Sequence, residues 1–458
     1  MKRILLYTTL LFGPAAAIAA QDKLWTMEEC MQYAVEHSPA VKKQTHTSDT
    51  YKAEYASSVA SFFPSVDASA QTQWSYGRNI NPKDNTYDNI STFRNYYYAE
   101  ASIPVFNGGR LINEWRKAKV NRALGKNDIQ KAKDDLALKV LEAYVNVVYY
   151  RGLVRFSAEK LDESNRTLYL TRRKEEVGLM GKADVIQIEA QVAADDYTHT
   201  FNANQLNMAL LTLKEHMNYP YAGELAVDTL AGETTDYIHA NESVEAIYAH
   251  ASETNPTALK ATHGLKAARM DYLIQKGRLF PVISFFAGVN TNYFKDLNFV
   301  ITPDTRPEDI PKSFSSQFEN NRGEYLGFSM SIPLFNRLKT ITEIKRARNT
   351  MRIAQEQQHE VFRQLETAIE KAVTDRDGYA KETIRMEKKK TSDEFAYQVT
   401  LRKFEEGLMS PIELQTSANA LLESKANLLQ RKLLYIIKCK EVDYYKGIPL
   451  VTGTTEKR

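Results

Sequence analysis

The sequence predicts a mostly helical α+β chain, made of one module used twice in tandem. Three observations carry this. The stretch Ser102-Ile103-Pro104-Val105-Phe106-Asn107 returns as Ser331-Ile332-Pro333-Leu334-Phe335-Asn336. Each copy follows an alternating apolar/polar run, the period of a strand, and precedes a very long charged run with apolar residues at helical spacing. The flanking segments repeat in the same order: Thr26 to Pro39 matches Ser243 to Pro256 at an offset of 217, as Phe63-Pro64 matches Phe280-Pro281. From Ser102 onward the offset is 229, through Gly178/Gly407 and Pro220/Pro449. The one large length change therefore falls between two strands, in a loop, where insertions are tolerated.

Residues 1–20 read as a secretory signal, with Lys2 and Arg3 as its basic start, Ile4 to Phe12 apolar and Ala15 to Ala20 as cleavage zone. The apolar stretch is shorter than the roughly 20 residues of a spanning helix. The first repeat is expected over 21–220. Thr26 and Glu29 form a capping box that opens its first helix. A helix near 40–62 leads into a β-hairpin over 64–105, a long helix over 110–177 and a helix over 183–217. A linker over 221–242 leads to the second repeat, 243–449. It carries a hairpin over 281–334, a long helix over 337–406 and a helix over 412–445. Residues 450–458 are a polar tail.

The strand assignment rests on alternation. Val66, Ala68, Ala70, Thr72 and Trp74 alternate with Asp67, Ser69, Gln71 and Gln73, and Ala99, Ala101, Ile103 and Val105 with Tyr98, Glu100 and Ser102. In the second repeat Ile283, Phe285, Ala287 and Val289, then Leu326, Phe328, Met330 and Ile332, do the same. Period two over roughly 10 residues marks a membrane barrel strand; a soluble sheet packed on one face is the alternative. The export signal and the tyrosines near the strand ends favour the membrane. Polar loops, Ser75 to Asn95 and Phe294 to Gly323, join the strands of each hairpin.

At each strand-to-helix junction, Pro104 or Pro333 is expected to end the strand, because proline cannot donate to the ladder. Asn107 or Asn336 is expected to cap the helix that follows. Gly108 and Gly109 soften the first junction while Arg337 and Leu338 stiffen the second, so the two are expected to bend differently. Each long helix would span on the order of 100 Å if continuous. Its apolar positions, such as Leu136, Val140, Tyr144, Val147 and Tyr150, recur at three and four, so it must pack against neighbours as a coiled coil.

Four membrane strands make a physical demand. Backbone groups cannot stay unpaired in lipid, and a closed barrel needs at least about 8 strands, so several copies must close one together. Three copies would give twelve strands, with twelve helical strands in a ring below.

The mature chain resembles the TolC-type outer membrane efflux proteins. The resemblance rests on Trp25-Thr26-Met27-Glu28-Glu29, on Phe62-Phe63-Pro64 and Leu279-Phe280-Pro281 before the strands, and on Ile103-Pro104-Val105-Phe106-Asn107-Gly108-Gly109-Arg110. It rests also on the turns beginning Val177-Gly178-Leu179 and Glu406-Gly407-Leu408, in duplicate over the whole chain. It implies a homotrimer in outer membrane lipid, with a twelve-stranded outer membrane β-barrel on a periplasmic α-barrel. It implies a passive exit channel joined by a periplasmic adaptor to an inner membrane transporter of the RND or ABC class.

The turns Gly178-Leu179-Met180-Gly181-Lys182-Ala183-Asp184 and Gly407-Leu408-Met409-Ser410-Pro411-Ile412-Glu413 are the sharpest local motifs. Each first Gly suits the left-handed position that ends a helix, and Ser410, Pro411 and Glu413 suit the start of the next. Asp184 and Glu413 thus read as caps, or as acids whose copies ring a closed tip and favour cations. In the family, acids at these places belong to the periplasmic gate. A further acid three residues on is Thr416 here, and an Arg and a Tyr of the family's gate are Met409 and Phe404. Gating is then expected to rest on packing of Phe404, Leu408 and Met409. Leu179 and Leu408, beside Gly178 and Gly407, are expected to meet the adaptor, or else to pack between neighbouring helix pairs.

The formal net charge is +3, or +1 without Lys2 and Arg3, which lacks the concentrated basic excess of a nucleic-acid binder. Cys30 and Cys439 lie far apart in helical patterns and read as buried free thiols, with a disulfide as the alternative. The eight histidines show no paired ligand spacing, and no nucleophile elbow, phosphate loop or dinucleotide fingerprint occurs, so no enzyme activity, cofactor or metal is expected. Charge runs such as Arg172-Arg173-Lys174-Glu175-Glu176 read as solvated helix faces. The reading is an exit duct for small toxic compounds. A duct for type I protein secretion and a coiled-coil envelope tether without a pore are its rivals.

Overall fold

A computed structural model describes residues 24–80, 86–228, 243–303, 305–307 and 310–451. The expected signal, most of the expected linker and the tail beyond 451 lie outside the described residues. The first half of the chain carries β1 (Leu24–Trp25), α1 (Met27–His37), α2 (Pro39–Ala60), β2 (Ser65–Ser75), β3 (Arg78–Ile80), β4 (Tyr87–Asn89), β5 (Thr92–Phe106), α3 (Arg110–Glu176) and α4 (Lys182–Met217). After β6 (Ala226–Val227) come α5 (Val244–Thr254), α6 (Pro256–Gly277), β7 (Val282–Asp296), α7 (Phe314–Asn320), β8 (Gly323–Ser331), α8 (Lys339–Glu405) and α9 (Pro411–Tyr445). Two compact units cut across the sequence repeats, each taking segments from both.

The first unit holds residues up to Pro39, Lys133–Ile247 and Ile369 onward. Its core is built by helical periodicity: Ala137, Val140, Leu141, Tyr144, Val147 and Val148 form one stripe of α3. That stripe meets Met27, Cys30, Met31 and Ala34 of α1, Leu213 and Met217 of α4, and Leu433 and Ile436 of α9. Fully burying each Val, Leu, Ile or Met side chain among these is worth about 1.5–3 kcal/mol. Thr26 and Glu29 close a reciprocal capping box at the start of α1. The buried Tyr144 hydroxyl lies 3.1 Å from the Trp25 carbonyl and 3.0 Å from that of Asp228, and donates there, pinning the parallel β1–β6 pair to α3. Burial pushes the Tyr144 phenol well above its ordinary range, so it stays a donor. Cys30 and Cys439 are not joined in a disulfide; the first is buried and the second half-buried, and burial raises the Cys439 thiol.

The second unit holds Ala40–Ala132 and Tyr248–Ala368. Its antiparallel sheet has the order β2-β5-β7-β8. The register aligns every apolar set on one face: Ala68 faces Ala99, Ala99 faces Val289, Ala101 faces Ala287 and Phe285 faces Phe328. Asp67, Glu100, Gly288 and Tyr325 share the other, polar face, where Tyr325 Oη donates to Glu100 Oε2 at 2.8 Å. Among the described residues no helix is long and apolar enough to cross a membrane. The sheet is the element with membrane patterning.

The loops within the hairpins carry structure of their own. β3 pairs with β4 above the first hairpin. In the second, α7 lies against β7 beyond the point where β8 begins. Gln317 exchanges two hydrogen bonds of 3.0 Å with the Phe294 backbone, and Asn321 Nδ2 donates to the Asn292 carbonyl at 2.8 Å. The helix therefore satisfies backbone groups that a strand would otherwise have to pair. Phe314 and Phe318 pack on Tyr293 and Tyr97.

Below the sheet, α3 packs closely on α2 and α6. A Cβ on Gly125 would lie 2.9 Å from Ser48 Oγ, so a larger residue would push the helices apart. Lys117 pairs with Asp271 at 2.7 Å, and Asn127 Nδ2 donates to the Pro256 carbonyl at 2.7 Å.

Candidate functional site: the paired helical turns and the junctions

The two helical turns form by the same hydrogen bonds. Gly178 and Gly407 sit at φ 77° and 78°, where a side chain would strain the backbone. Their N–H groups donate to the carbonyls of Glu175 and Phe404, and those of Leu179 and Leu408 to the carbonyls of Lys174 and Lys403, all within 3.0 Å. This is the Schellman pattern, so α3 and α8 stop because glycine follows them. The next helices start by capping: Ser410 Oγ accepts from the Glu413 N–H while Glu413 Oε2 accepts from the Ser410 N–H at 2.9 Å. At the first turn Gly181 has no side chain to offer, and only the return bond forms, from its N–H to Asp184 Oδ2 at 3.0 Å. The bonds from Ser410 hold the Glu413 carboxyl below the usual carboxylate range, with its backbone N–H the largest cause.

The turns place the remaining residues unequally. Phe404 is buried with Tyr397, Leu414 and Leu421, and Met409 and Met180 pack against that cluster. Thr416 lies on the exposed face of α9, its hydroxyl donating to the Ile412 carbonyl at 2.8 Å. Leu179 and Leu408 are 75 % and 71 % exposed, at the outer ends of their turns. Beside that cluster, α3, α4, α8 and α9 line a cavity of about 210 Å³ that Tyr397, Leu414 and Leu421 share with Lys160, Gln191 and Asp195. The pair of half-buried Lys160 and buried Asp195, 2.8 Å apart, crosses between α3 and α4 beside it.

Lys174 is the residue that sequence reasoning missed. Its ammonium donates to the carbonyls of Phe404 at 2.9 Å and Glu405 at 2.7 Å, and lies 5.2 Å from the Phe404 ring centre. These are the last carbonyls of α8; that of Phe404 already accepts from the Gly407 N–H, and the lysine adds a second, charged donor at the helix end. The lysine therefore ties the first turn to the second, and is no mere solvated face. A signal was available: Lys174 and Lys403 occupy the same place in the two repeats, at helix C-termini where cations are favoured.

The junctions correct two expectations. Pro104 does not end its strand. It lies inside β5 opposite Ser284, and the register shifts between Pro104 and Phe106, a bulge that accommodates the missing N–H. In the second copy β8 does end before Pro333. The two turns also do not bend differently: Gly108 and Gly109 have φ 69° and 77°, and Arg337 and Leu338 follow with 57° and 63°. The helix after them accordingly begins at Lys339 and not at 337. Asn107 and Asn336 stand before these left-handed pairs, and their side chains still accept from the Leu111 and Thr340 amides, each at 3.4 Å.

The same conformation costs differently in the two copies. A Cβ on Gly108 would lie 2.2 Å from the Gly277 carbonyl oxygen, a backbone contact that cannot yield. Gly108→Ala is expected to cost about 3 kcal/mol, from left-handed strain plus the clash. Arg337→Gly, which relieves strain at an exposed residue, is expected to stabilise by about 0.5–1 kcal/mol. Chemical unfolding followed by circular dichroism measures both; equal effects at the two sites would remove this account.

Among the described residues no cluster of three or more His, Cys, Asp or Glu could hold a metal. The outer membrane efflux protein family model matches residues 30–218 and again 247–441, one match per repeat. No curated protein sequence matches the chain. Three solved structures share the fold. CusC, whose conformational changes accompany folding and transmembrane channel formation, superposes with a TM-score of 0.78 at 15 % identity, covering 93 % of this chain and 92 % of its own. The outer membrane protein VceC from Vibrio cholerae gives 0.76 at 14 %, covering 92 % and 96 %. The Campylobacter jejuni CmeC outer membrane channel gives 0.78 at 12 %, covering 92 % and 86 %. With both repeats matched by the family model and the fold shared along nearly its whole length, this chain belongs to the outer membrane efflux protein family.

Proposed function

We propose that three copies of the chain form one exit duct of a tripartite efflux system. The observation that carries this is the four-stranded sheet with one apolar face, one polar face and two open edges. Such a sheet is stable in lipid only when copies close it, and three copies give a twelve-stranded barrel with the polar face lining the lumen. The repeats 21–220 and 243–449 then alternate around the ring. The helical turns form the periplasmic end, where a periplasmic adaptor docks and an inner membrane RND or ABC transporter supplies the energy. Small toxic compounds are the cargo.

Asp184 and Glu413 serve this duct twice, capping α4 and α9 and placing carboxylates round the tip. Asp184→Asn with Glu413→Gln keeps much of the capping geometry and removes the charge. Cation-over-anion permeability of the channel in a planar bilayer is expected to fall several-fold; unchanged selectivity leaves these acids as caps alone. The efflux reading is tested by growth of a deletion strain on a panel of toxic compounds, with secreted proteins assayed in parallel. Sensitisation with normal secretion is expected; the reverse assigns the duct to protein export.

A further inference from the structure

We propose that a second copy of this chain docks its β2 onto β8 in one defined register, with Thr72 of the second copy opposite Phe328, Ala70 opposite Met330 and Trp74 opposite Leu326. The proposal rests on the trimeric reading above and deepens it to residue pairs.

The internal repeat sets this register. First strands of the two hairpins are related by an offset of 217 and second strands by 229. The structure obeys both: Ser65–Ser102 and Val66–Ala101 of the first hairpin reappear as Val282–Ser331 and Ile283–Met330 of the second. Between the hairpins, β5 lies on β7, pairing Tyr97 with Thr291, Ala99 with Val289 and Ala101 with Ala287. Moving β5 forward one repeat gives β8, and moving β7 back one repeat gives β2. The same three pairs then become Leu326 with Trp74, Phe328 with Thr72 and Met330 with Ala70. Within one chain β8 and β2 are the two sheet edges, so this pairing forms only between copies.

Two further observations agree. Parity is right: all six residues lie on the apolar face, and a slip of one residue would set Phe328 against Gln71 or Gln73. Strand length supplies the other. β5 runs on through Ile103-Pro104-Val105-Phe106, whereas the matching Ile332-Pro333-Leu334-Phe335 lies outside β8. The motif is the same; what differs is that β5 has β7 on its far side and β8 has nothing. Leu334 and Phe335 are 91 % and 80 % exposed, against 62 % and 44 % for Val105 and Phe106 beside β7; a second copy that extends β8 covers them to that same partial degree, Phe335 taking the place opposite Val66 that Phe106 has opposite Ile283.

The rule also applies at the helical turns. As Lys174 reaches the carbonyls of Phe404 and Glu405, so Lys403 reaches those of Glu175 and Glu176 in the second copy. In one chain Lys403 is exposed.

The test is oxidative cross-linking of the full chain in membranes. Directly opposed residues have Cβ atoms about 4.5–5.5 Å apart and pairs shifted by two about 7–8 Å, so a disulfide favours the true register. Thr72→Cys with Phe328→Cys is expected to give covalent trimers on a non-reducing gel, at least about tenfold over either single variant and over the shifted pair Thr72→Cys with Met330→Cys. Stronger linking of the shifted pair overturns the register. No link in any pair, in a chain that still assembles as a multimer, overturns β2–β8 docking. No link in a chain that runs as a monomer overturns the trimeric reading itself. At the turns, Lys403→Met is expected to raise channel conductance as Lys174→Met does; a native conductance overturns that arm.

Discussion

Lys174→Met is expected to open the channel. The native ammonium makes two charge-assisted hydrogen bonds to the last carbonyls of α8 and lies near the Phe404 ring. Methionine keeps the apolar stem and so the packing on Phe404, but it donates nothing. Bonds to a charged group are worth about 1.5–3 kcal/mol each when shielded. Lys174 is half-buried, so the lower figure for the pair together, about 1.5 kcal/mol, is the sounder one. That is still about a tenfold shift in the closed-to-open ratio for every copy. Single-channel recording should show longer open times or a higher mean conductance, with assembly unchanged. Native currents from Lys174→Met would mean that the packing of Phe404 and Met409 closes the turns alone.

Leu179→Arg together with Leu408→Arg is expected to abolish efflux while leaving the assembled protein in the membrane. Both leucines follow a glycine that ends a long helix, and both are about three-quarters exposed. Neither supports the Phe404 cluster beneath, so their replacement costs the fold little. An exposed leucine on the outermost turn, repeated twice in each chain, is apolar surface for a partner, and an arginine there leaves a charge desolvated on docking. Growth on toxic compounds should fall to the level of the deletion strain, at native amounts of heat-labile trimer on a gel. Full efflux by the double variant would place adaptor docking elsewhere.

Much of the fold was legible because a few strong local signals repeat. Thr26 with Glu29, Ser410 with Glu413, and Gly178 with Gly407 each act within a few residues of themselves, so sequence spacing and geometry coincide. The period-two runs were legible for the same reason. What the sequence hid was set by contacts distant in the chain. Pro104 continues its strand because β7 lies alongside it, a partner about 180 residues away. Arg337 and Leu338 adopt glycine-like angles because their junction repeats the first one, although their side chains argue against it. Lys174 read as one charge in a solvated run, because nothing nearby in sequence shows that the α8 terminus is within its reach. The α7 helix was hidden likewise, since its bonds go to β7.

Whether this chain makes a pore is decided by the conductance of the purified full chain in a planar bilayer. Discrete, cation-selective currents are expected, appearing in steps of one size, and Lys174→Met is expected to enlarge or prolong them. A protein that inserts with its sheet folded, yet leaves the bilayer silent in both native and Lys174→Met forms, would contradict a pore.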